Sequence, residues 1–413
     1  MLLTQEILEP YDCQVQPSRQ PDPLIGAVLD GRYRVDAPIA SGGMSTVYRG
    51  LDTRLDRLVA LKVMDSRYSG DQQFLTRFQR EARAAAGLKS PGLVAVYDQG
   101  FDGRHPFLVM ELVEGGTLRE LLRERGPMPP HAVAAVLAPM LDGLAVAHQA
   151  GLVHRDIKPE NVLISDSGEV KIADFGLVRA VAEAKITSTS VILGTAAYLS
   201  PEQVSTGDAD PRSDVYSVGI LAYELLTGTT PFTGDSPLSV AYQRLDQDVP
   251  PPSTAIAGVP KQFDDLVACA TARTADDRYL DAGDMAAELA AIVADLGLPE
   301  FQVPAPTNSA QHTAAAAQRG RAERTTVATG RAAAPKAAPQ HTLQFTMDPA
   351  MDPALLESPA VAKQFAGIDL DDFAWARQRS RRTVLFWLIA ILTLTALVAA
   401  GAWTLGTNID GLF

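Results

Sequence analysis

The stretch GLVHRDIKPENVLI, residues 151–164, places five polar or charged side chains within eight residues, between two groups of aliphatic side chains. The five are His154, Arg155, Asp156, Lys158 and Asn161. Each needs a partner if it is buried, whereas the flanking valine, leucine and isoleucine residues favour burial. Such a segment suits a loop that strands hold at the mouth of a cleft, and we expect a reactive site there.

Composition limits which classes of protein this chain can belong to. Its 413 residues suffice for one large domain or several smaller ones. Apolar residues make up 46% and charged residues 21%, so a globular core is expected. The net charge of −13 argues against a nucleic-acid partner, because non-specific binding requires a basic surface. The two cysteines, Cys13 and Cys269, predict neither a disulfide framework nor a metal cluster.

The composition also changes along the chain. Residues 1–30 are rich in proline, glutamine and aspartate and are interpreted as an N-terminal extension. Residues 31–298 show dense apolar periodicity, which predicts a folded domain. Residues 299–382 are rich in alanine, proline and threonine, with few large apolar side chains. Because such a segment buries too little surface to offset its chain entropy, it is predicted to be a disordered linker.

An uncharged apolar stretch of 23 residues, 383–405, follows the linker. As a helix it would be about 34 Å long, enough to cross a bilayer. Trp387 and Trp403 lie near its ends, and the basic segment RQRSRR precedes it. Because positive charge stays on the cytoplasmic side, this pattern predicts a single-pass anchor with residues 1–382 cytoplasmic and 406–413 as a short extracytoplasmic tail. A buried core helix is the alternative, but few are apolar on every face.

The segment RYRVDAPIASGGMSTVYRG, residues 32–50, predicts two strands joined by a glycine-containing turn. The strands are expected at 35–39 and 46–49, with the turn from Ala40 to Ser45. Adjacent glycines let backbone N–H groups approach a phosphate closely, although an ordinary hairpin tip has the same pattern. No G-x-x-x-x-G-K-[ST] motif occurs, which disfavours a P-loop nucleotidase.

The segment RLVALKVMD, residues 57–65, predicts an apolar strand that carries one lysine. Period-two alternation places Ala60 and Lys62 on one face, opposite three apolar residues. The next segment, 71–88, predicts a helix with Glu81 beside its apolar stripe. Glu81 could turn inward to meet Lys62; the alternative is an exposed glutamate between neighbouring arginines.

Two later segments predict a connector and a turn. Residues 107–118, FLVMELVEGGTL, are expected to be a strand that ends at Glu-Gly-Gly and leads from one lobe to another. In EVKIADFGLV, residues 169–178, a strand ends at Asp174 and Gly176 permits a turn. The chain therefore presents, in order, a glycine turn, a strand lysine, a helix glutamate, H-R-D-x-K-x-x-N and D-F-G.

This order and spacing resemble the eukaryotic-like (Hanks-type) serine/threonine protein kinases over about residues 33–297. The segments VALKVMD and GTAAYLSPEQ are also similar to actinobacterial transmembrane members of that family. The resemblance implies an α+β, bilobal protein kinase fold for residues 31–298, with a small β-rich N-lobe and a larger α-helical C-lobe. It implies transfer of the ATP γ-phosphoryl group to serine or threonine hydroxyls of protein substrates, with Mg²⁺ (or Mn²⁺) as the metal.

The resemblance assigns catalysis to Asp156, Lys158, Lys62 and Glu81. Lys62 would hold the α- and β-phosphates, with Glu81 fixing its direction. Asp156 would accept a hydrogen bond from the substrate hydroxyl, and Lys158 would lie near the transferred phosphate.

The metal ion, a hard cation that prefers oxygen ligands, is expected on Asn161 and Asp174. His154 is expected to be a packed structural residue and not a base. Asp214 is expected to brace the backbone of the H-R-D segment.

The resemblance also implies which residues enclose ATP, with Met110 at the back of the adenine slot. The set is Ile39, Ala40, Ser41, Gly42, Gly43, Met44, Ser45, Thr46, Val47, Ala60, Lys62, Met110, Glu111 and Val113. Thr117 and Glu120 are expected near the ribose.

One departure from the family pattern concerns the glycine turn. Ala40 stands where the family usually has its first glycine, and Ser45 where a third is common. We expect weaker or slower handling of ATP. The alternative function is a nucleotide-binding pseudokinase scaffold at the membrane, although the other phosphate, metal and base positions are filled.

The activation segment is expected between Asp174 and the Ser-Pro-Glu at 200–202. Autophosphorylation is predicted at Thr187 and Thr189, which would otherwise be ordinary solvated threonines. Thr195 would contact Asp156 and Lys158 and position the substrate. Glu202 is expected to pair with Arg278. Because the predicted anchor would concentrate the chain at a membrane, a homodimer that phosphorylates in trans is a further expectation.

Overall fold

The computed structural model describes residues 22–175, 196–316 and 318, and an antiparallel pair formed by Gln364–Phe365 and Ile368–Asp369. The predicted sites Thr187, Thr189 and Thr195 and the predicted membrane span at 383–405 lie outside these residues.

The smaller lobe is built on an antiparallel sheet of six strands. They are β1 (Val28–Leu29), β2 (Tyr33–Ser41), β3 (Ser45–Asp52), β4 (Arg57–Met64), β5 (Val96–Asp102) and β6 (His105–Glu111). They lie side by side in the order β1-β2-β3-β4-β6-β5. A 3-10 turn, Ser66–Tyr68, and the helix α1, Gln72–Ala86, connect β4 to β5.

The alternation of side chains along β4 gives the sheet two buried faces. Leu61 joins an apolar cluster with Tyr33 and Phe107 on one face. Ala60 faces the other way and joins a cluster that includes Phe78 of α1. The period-two prediction for 57–65 and the helix predicted after it are therefore confirmed.

The larger lobe is mostly helical and also carries a three-stranded sheet, β7 (Gly115–Thr117), β8 (Val162–Ser165) and β9 (Val170–Ile172). Its helices are α2 (Leu118–Arg125), α3 (Pro130–Gln149), α4 (Pro201–Ser205), α5 (Pro211–Thr227), α6 (Pro237–Asp246), α7 (Pro252–Ala255), α8 (Lys261–Ala270) and α9 (Ala282–Asp295). Two 3-10 turns are Pro159–Asn161 and Ala275–Asp277. The predicted bilobal α+β architecture is confirmed.

The strand predicted over residues 107–118 ends earlier than expected. β6 stops at Glu111, a connector follows at 112–114, and α2 begins at Leu118. The predicted end was Glu-Gly-Gly at 114–116, where the short strand β7 begins instead. Helix α2 starts directly after β7 with a capping box: Thr117 accepts the N–H of Glu120, and the Glu120 side chain accepts the N–H of Thr117. The sequence analysis predicted neither β7 nor this cap.

Helix α3 lies in the middle of the C-lobe core. Leu137, Met140 and Leu141 of this helix are fully buried against residues of α5 and the other helices. Among the described residues, α3 is also the one helix with the length and composition to cross a membrane. Its buried position is that of a core helix in a globular lobe.

Residues 299–316 differ from the prediction of a disordered linker starting at 299. Val303, Ser309 and Ala314 are each no more than 3% exposed, and residues 310–316 are helical. The alanine- and proline-rich composition is misleading here, because a few buried anchors and hydrogen bonds to the C-lobe hold this part in place. From residue 319 to 382, apart from the antiparallel pair Gln364–Phe365 and Ile368–Asp369, the disordered linker stays a prediction.

Candidate active site

Asp214 of α5 holds the backbone of the H-R-D segment. Its two carboxylate oxygens accept the backbone N–H groups of His154 and Arg155, each at 2.7 Å. One of these oxygens also lies 2.9 Å from Nε2 of His148. A buried carboxylate and loop N–H groups both need partners, and this arrangement satisfies both. The contacts agree with the predicted bracing role of Asp214.

His154 is completely buried beneath the loop. Its Nε2 lies 2.9 Å from the carbonyl oxygen of Ala173, and its Nδ1 accepts the N–H of Asp156 at 3.2 Å. These two partners require a neutral ring protonated at Nε2. The ring also packs edge-to-face on Phe175, with centroids 4.6 Å apart. His154 therefore joins the loop to the D-F-G segment, which is a structural role.

Asp156 receives hydrogen bonds from two side chains further along its own loop. Lys158 Nζ lies 2.9 and 2.7 Å from its two carboxylate oxygens. Nδ2 of Asn161 donates to the Asp156 carbonyl oxygen at 2.8 Å and to its Oδ2 at 3.0 Å. The 3-10 turn Pro159–Asn161 brings this amide back beneath Asp156. Since Asp156 takes the amide N–H₂ group, Oδ1 of Asn161 is the atom available to a cation.

Lys62 of β4 and Asp174, which follows β9, form an ion pair between the lobes, with Nζ and Oδ1 2.8 Å apart. Burial acts to raise the pKa of Asp174, but the attraction of the Lys62 ammonium outweighs it and holds that pKa below its ordinary value. Asp174 has φ +69° and Arg155 has φ +71°, both in the left-handed region. Strained backbone at two non-glycine residues is typical of functional sites.

The expected ion pair between Lys62 and Glu81 is not among the ion pairs of the described residues. The ammonium is instead satisfied by Asp174. A cavity of about 250 Å³ lies beside α1, lined by Ala82 of that helix and by Met110 and Phe175. The apolar periodicity of residues 71–88 predicted which face of α1 is buried. The position of the whole helix relative to the sheet depends on packing and was not predicted.

The predicted ATP residues lie on the neighbouring strands β2, β3, β4 and β6 and in the connector that follows β6. Ile39 to Val47 form the β2–β3 hairpin, whose tip is closed by the N–H of Gly42 donating to the carbonyl of Ser45 at 2.9 Å. Ala60 pairs with Met110 across β4 and β6, and Val113 follows in the connector.

Three of the residues expected near the nucleotide use their side chains in contacts within the protein. Glu111 turns its carboxylate to Lys171 of β9, with Oε1 and Nζ 2.6 Å apart. Thr117 and Glu120, expected near the ribose, cap α2. Their helix-capping role was not predicted.

The predicted pair of Glu202 and Arg278 is present as two hydrogen bonds of 2.8 and 2.9 Å. Burial acts to raise the pKa of Glu202, but the hydrogen bonds from Arg278 and Ser213 outweigh it and lower that pKa to about 2. The pair holds the start of α4 against the residue that follows the 3-10 turn Ala275–Asp277. It therefore fixes the chain directly after the activation segment.

Two positioning contacts were missed by the sequence analysis. Nε2 of Gln203 donates to the carbonyl of Arg155 at 3.0 Å, which joins α4 to the H-R-D loop. Arg244 of α6 is fully buried and donates to the carbonyls of Ala196 and Ala197. No local signal separates Arg244 from a surface arginine, because its partners lie far away in the sequence.

Comparison with known proteins agrees with this architecture. The family described as "Protein kinase domain" matches residues 33–280. Serine/threonine-protein kinase PknL of Mycobacterium tuberculosis is 67% identical over 391 residues, which cover 95% of this chain and 98% of that protein. Serine/threonine-protein kinase PknB of Mycobacterium leprae is 45% identical over 266 residues, covering 63% of this chain and 43% of that protein.

Solved structures give the same answer. The crystal structure of the Mycobacterium tuberculosis PknI kinase domain has a TM-score of 0.52 and 26% sequence identity, and the match covers 65% of this chain and 98% of that one. A protein kinase domain implies ATP and a divalent metal ion, and a serine/threonine kinase implies protein substrates. With a bilobal fold and with the H-R-D loop, Asp174 and Phe175 in place, this chain belongs to the protein kinase family, as a Hanks-type serine/threonine protein kinase.

Proposed function

We propose that this kinase performs phosphoryl transfer with the polar cluster at the junction of its two lobes. The observation that carries the proposal is the continuity of that cluster. Asp156 contacts Lys158 and Asn161, and Asp174 contacts Lys62. The N–H of Ala173 donates to the carbonyl of Asn161 at 2.8 Å and so joins the two groups.

Asp156 is proposed to orient the attacking hydroxyl of a protein substrate. Its Oδ2 is shared by Lys158 and Asn161, whereas Oδ1 receives Lys158 alone among the described contacts. Oδ1 therefore keeps a lone pair that can accept the hydrogen bond of a serine or threonine hydroxyl. Lys158, held beside it, carries positive charge where the transferred group gains negative charge.

Asn161 and Asp174 are proposed to hold Mg²⁺. The atoms that would bind the metal are the amide oxygen of Asn161 and a carboxylate oxygen of Asp174, and oxygen ligands fit a hard cation. The lowered pKa of Asp174 keeps that carboxylate ionised. The metal, when bound, neutralises charge on the phosphates. Lys62 places an ammonium beside the same carboxylate, where it can bind a phosphate oxygen.

The proposal is tested with Asp156→Asn and Lys62→Met in the purified full chain. Both should lose roughly 100-fold or more of the rate of phosphate incorporation into a protein substrate, because each removes a group that acts on the reacting atoms. Asp265→Asn and Lys261→Met are matched controls, since these two residues form an exposed ion pair on α8. Wild-type rates in Asp156→Asn would contradict the assignment. Nucleotide binding without any transfer in the wild type would favour the pseudokinase scaffold.

The activation loop is proposed to be autophosphorylated at Thr187 and Thr189. Support comes from the sequence position of this T-x-T pair and from Arg155, whose backbone is fixed by Asp214 and Gln203. An arginine held next to the reacting loop can pair with a phosphate and order the segment. Phosphosite mapping by mass spectrometry of wild type beside Asp156→Asn tests this. Phosphate must be found at these threonines in the wild type only.

Residues 383–405 are proposed to anchor the kinase in the cell membrane with its catalytic domain in the cytoplasm. The support is the uncharged 23-residue stretch with arginines directly before it. The full chain should stay in the membrane pellet after alkaline extraction, and a chain ending at residue 382 should not. Protease added outside spheroplasts should leave the catalytic domain intact. Trans-phosphorylation by a homodimer then predicts that activity per molecule rises with surface density in vesicles.

A further inference from the structure

Residues 299–316 and Gln318, which we call the strap, follow the last C-lobe helix and run back across both lobes. The first part lies on the C-lobe. Phe301 packs edge-to-face on His131 of α3, with ring centroids 5.2 Å apart. Val303 is 3% exposed and belongs to the C-lobe core cluster. Gln302 donates to the carbonyl of Ser167 at 2.7 Å, in the turn between β8 and β9.

The middle of the strap lies on β7 and α2, directly after the connector between the lobes. Ser309 is 1% exposed and donates to the carbonyl of Gly115 at 2.5 Å. The N–H of Ala310 donates to Oε1 of Glu120 at 2.9 Å. The contact is close, since a Cβ on Gly116 would lie 2.7 Å from Cβ of Ser309. This face of α2 is therefore covered by the chain's own C-terminal segment.

The end of the strap reaches the N-lobe. The side-chain amide of Gln318 donates to Oδ2 of Asp36 on β2 at 2.7 Å and accepts from Nε of Arg49 on β3 at 2.9 Å. Arg49 also pairs with Glu114 of the connector at 3.0 Å. β2 and β3 are the two strands that carry the glycine turn. One amide thus ties both strands of the nucleotide-binding hairpin to a segment anchored on the C-lobe.

We propose that the strap ties the two lobes together across the connector and holds the ATP cleft in its nucleotide-binding arrangement, with Gln318 as a positioning residue for the glycine turn. The physical basis is preorganisation. ATP binds between the lobes, so free movement of the lobes in the unbound state must be given up on binding. A segment attached to both lobes removes part of that movement in advance. This inference rests on the ATP site proposed above.

The proposal assigns a role to the first part of a segment whose composition indicated only a linker. Beyond the apolar anchors Phe301 and Val303, the strap is attached to α2 and to the N-lobe by polar contacts, which can be broken without unfolding either lobe. Thr307, which is exposed, hydrogen-bonds the Glu124 carboxylate through its N–H and its hydroxyl. Detachment is therefore a local event. Its consequence falls on nucleotide affinity and not on the catalytic loop, to which none of the described strap residues is hydrogen-bonded.

The test uses the full chain in detergent with two variants that weaken different parts of the strap. Ser309→Glu places a buried charge beside Glu120 and should detach the middle. Gln318→Met keeps the side-chain length and removes both bonds to the N-lobe. Thr313→Glu is the matched control, because it adds the same charge four residues further along the strap, at an exposed position. Hydrogen exchange of 301–316 and 33–52, KM for ATP and kcat are measured for all three.

Both strap variants should raise KM for ATP roughly three- to tenfold, with kcat at saturating ATP changed less than about twofold. Exchange in 33–52 should increase in both, and exchange in 301–316 should increase in Ser309→Glu. Thr313→Glu should match the wild type. Wild-type KM and wild-type exchange in 33–52, in a Ser309→Glu variant whose strap exchanges faster, would overturn the proposal. Because exchange needs no activity, this result is distinguishable from failure of the proposed ATP site itself.

Discussion

Lys62 on the N-lobe sheet and Asp174 at the end of a C-lobe strand meet at 2.8 Å, and the pair joins two segments more than one hundred residues apart in sequence. It is a polar contact between lobes whose partners are also the proposed phosphate and metal ligands. Two further ion pairs lie near this junction. Arg49 of β3 pairs with Glu114 of the connector, and Glu111 of β6 pairs with Lys171 of β9 in the C-lobe. The geometry of the cleft is therefore coupled to the charges within it.

Lys62→Arg separates charge from geometry at this pair. Arginine keeps the positive charge, but its planar guanidinium cannot reproduce the compact ammonium. We expect Asp174 to remain ionised and the protein to remain folded, while the rate of phosphoryl transfer falls at least tenfold. Steady-state kinetics with a thermal melt check this. A variant that retains full activity would show that positive charge at this position is sufficient and that the compact ammonium is not required.

Ala40→Gly tests whether the departure from the family's glycine turn limits the enzyme. Ala40 is not among the described residues with positive φ, so alanine causes no backbone strain there. The backbone therefore gives no reason for the weaker ATP handling expected from the sequence. We now expect KM for ATP to change less than about threefold in Ala40→Gly, because glycine adds only flexibility at this position. A large fall in KM would mean that the alanine methyl group itself obstructs the nucleotide. ATP titration of initial rates decides between these outcomes.

Asp214→Asn should destabilise the fold and the loop together. The carboxylate accepts two backbone N–H groups in a fully buried position, and an amide would turn an N–H₂ group toward one of those donors. The free energy of unfolding should fall by roughly 2–3 kcal/mol, the typical effect of losing a buried charged hydrogen-bond acceptor. Asp208→Asn, at an exposed loop position, should change it by less than about 0.5 kcal/mol. Urea denaturation at pH 7 measures both.

The Glu202–Arg278 pair predicts a pH dependence of stability. The pKa of Glu202 in the folded state is about 2, below its ordinary value of 4.5. A lowered carboxyl pKa means that the pair's contribution is fully present above pH 4.5 and is lost as the pH falls toward 2. The difference in unfolding free energy between wild type and Glu202→Gln should be constant from pH 5 to 8 and shrink below that range. A difference that grows on acidification would contradict the assignment.

Much of the site could be predicted from sequence because its polar residues are close together in the chain. Asp156, Lys158 and Asn161 lie within one short loop, so their contacts follow from local geometry once the loop is recognised. The alternation along β4 placed Lys62 on the correct face for the same reason. The predicted helix carrying Glu81 was correct as an element, but its distance from Lys62 depends on how α1 packs against the sheet.

By itself, the amino-acid sequence determined the order of the functional motifs and the faces of the strands and helices, because these follow from side-chain periodicity and local spacing. The kinase fold was indicated by the resemblance of those motifs to a known family. Only the tertiary structure decided which charged groups pair between lobes, how Arg244 is used and where the chain after residue 298 lies. Val303, Ser309 and Gln318 are unremarkable in an alanine- and proline-rich segment. Ser309 donates to a carbonyl 194 residues away and Gln318 to a carboxylate 282 residues away, and no local pattern records contacts at that separation.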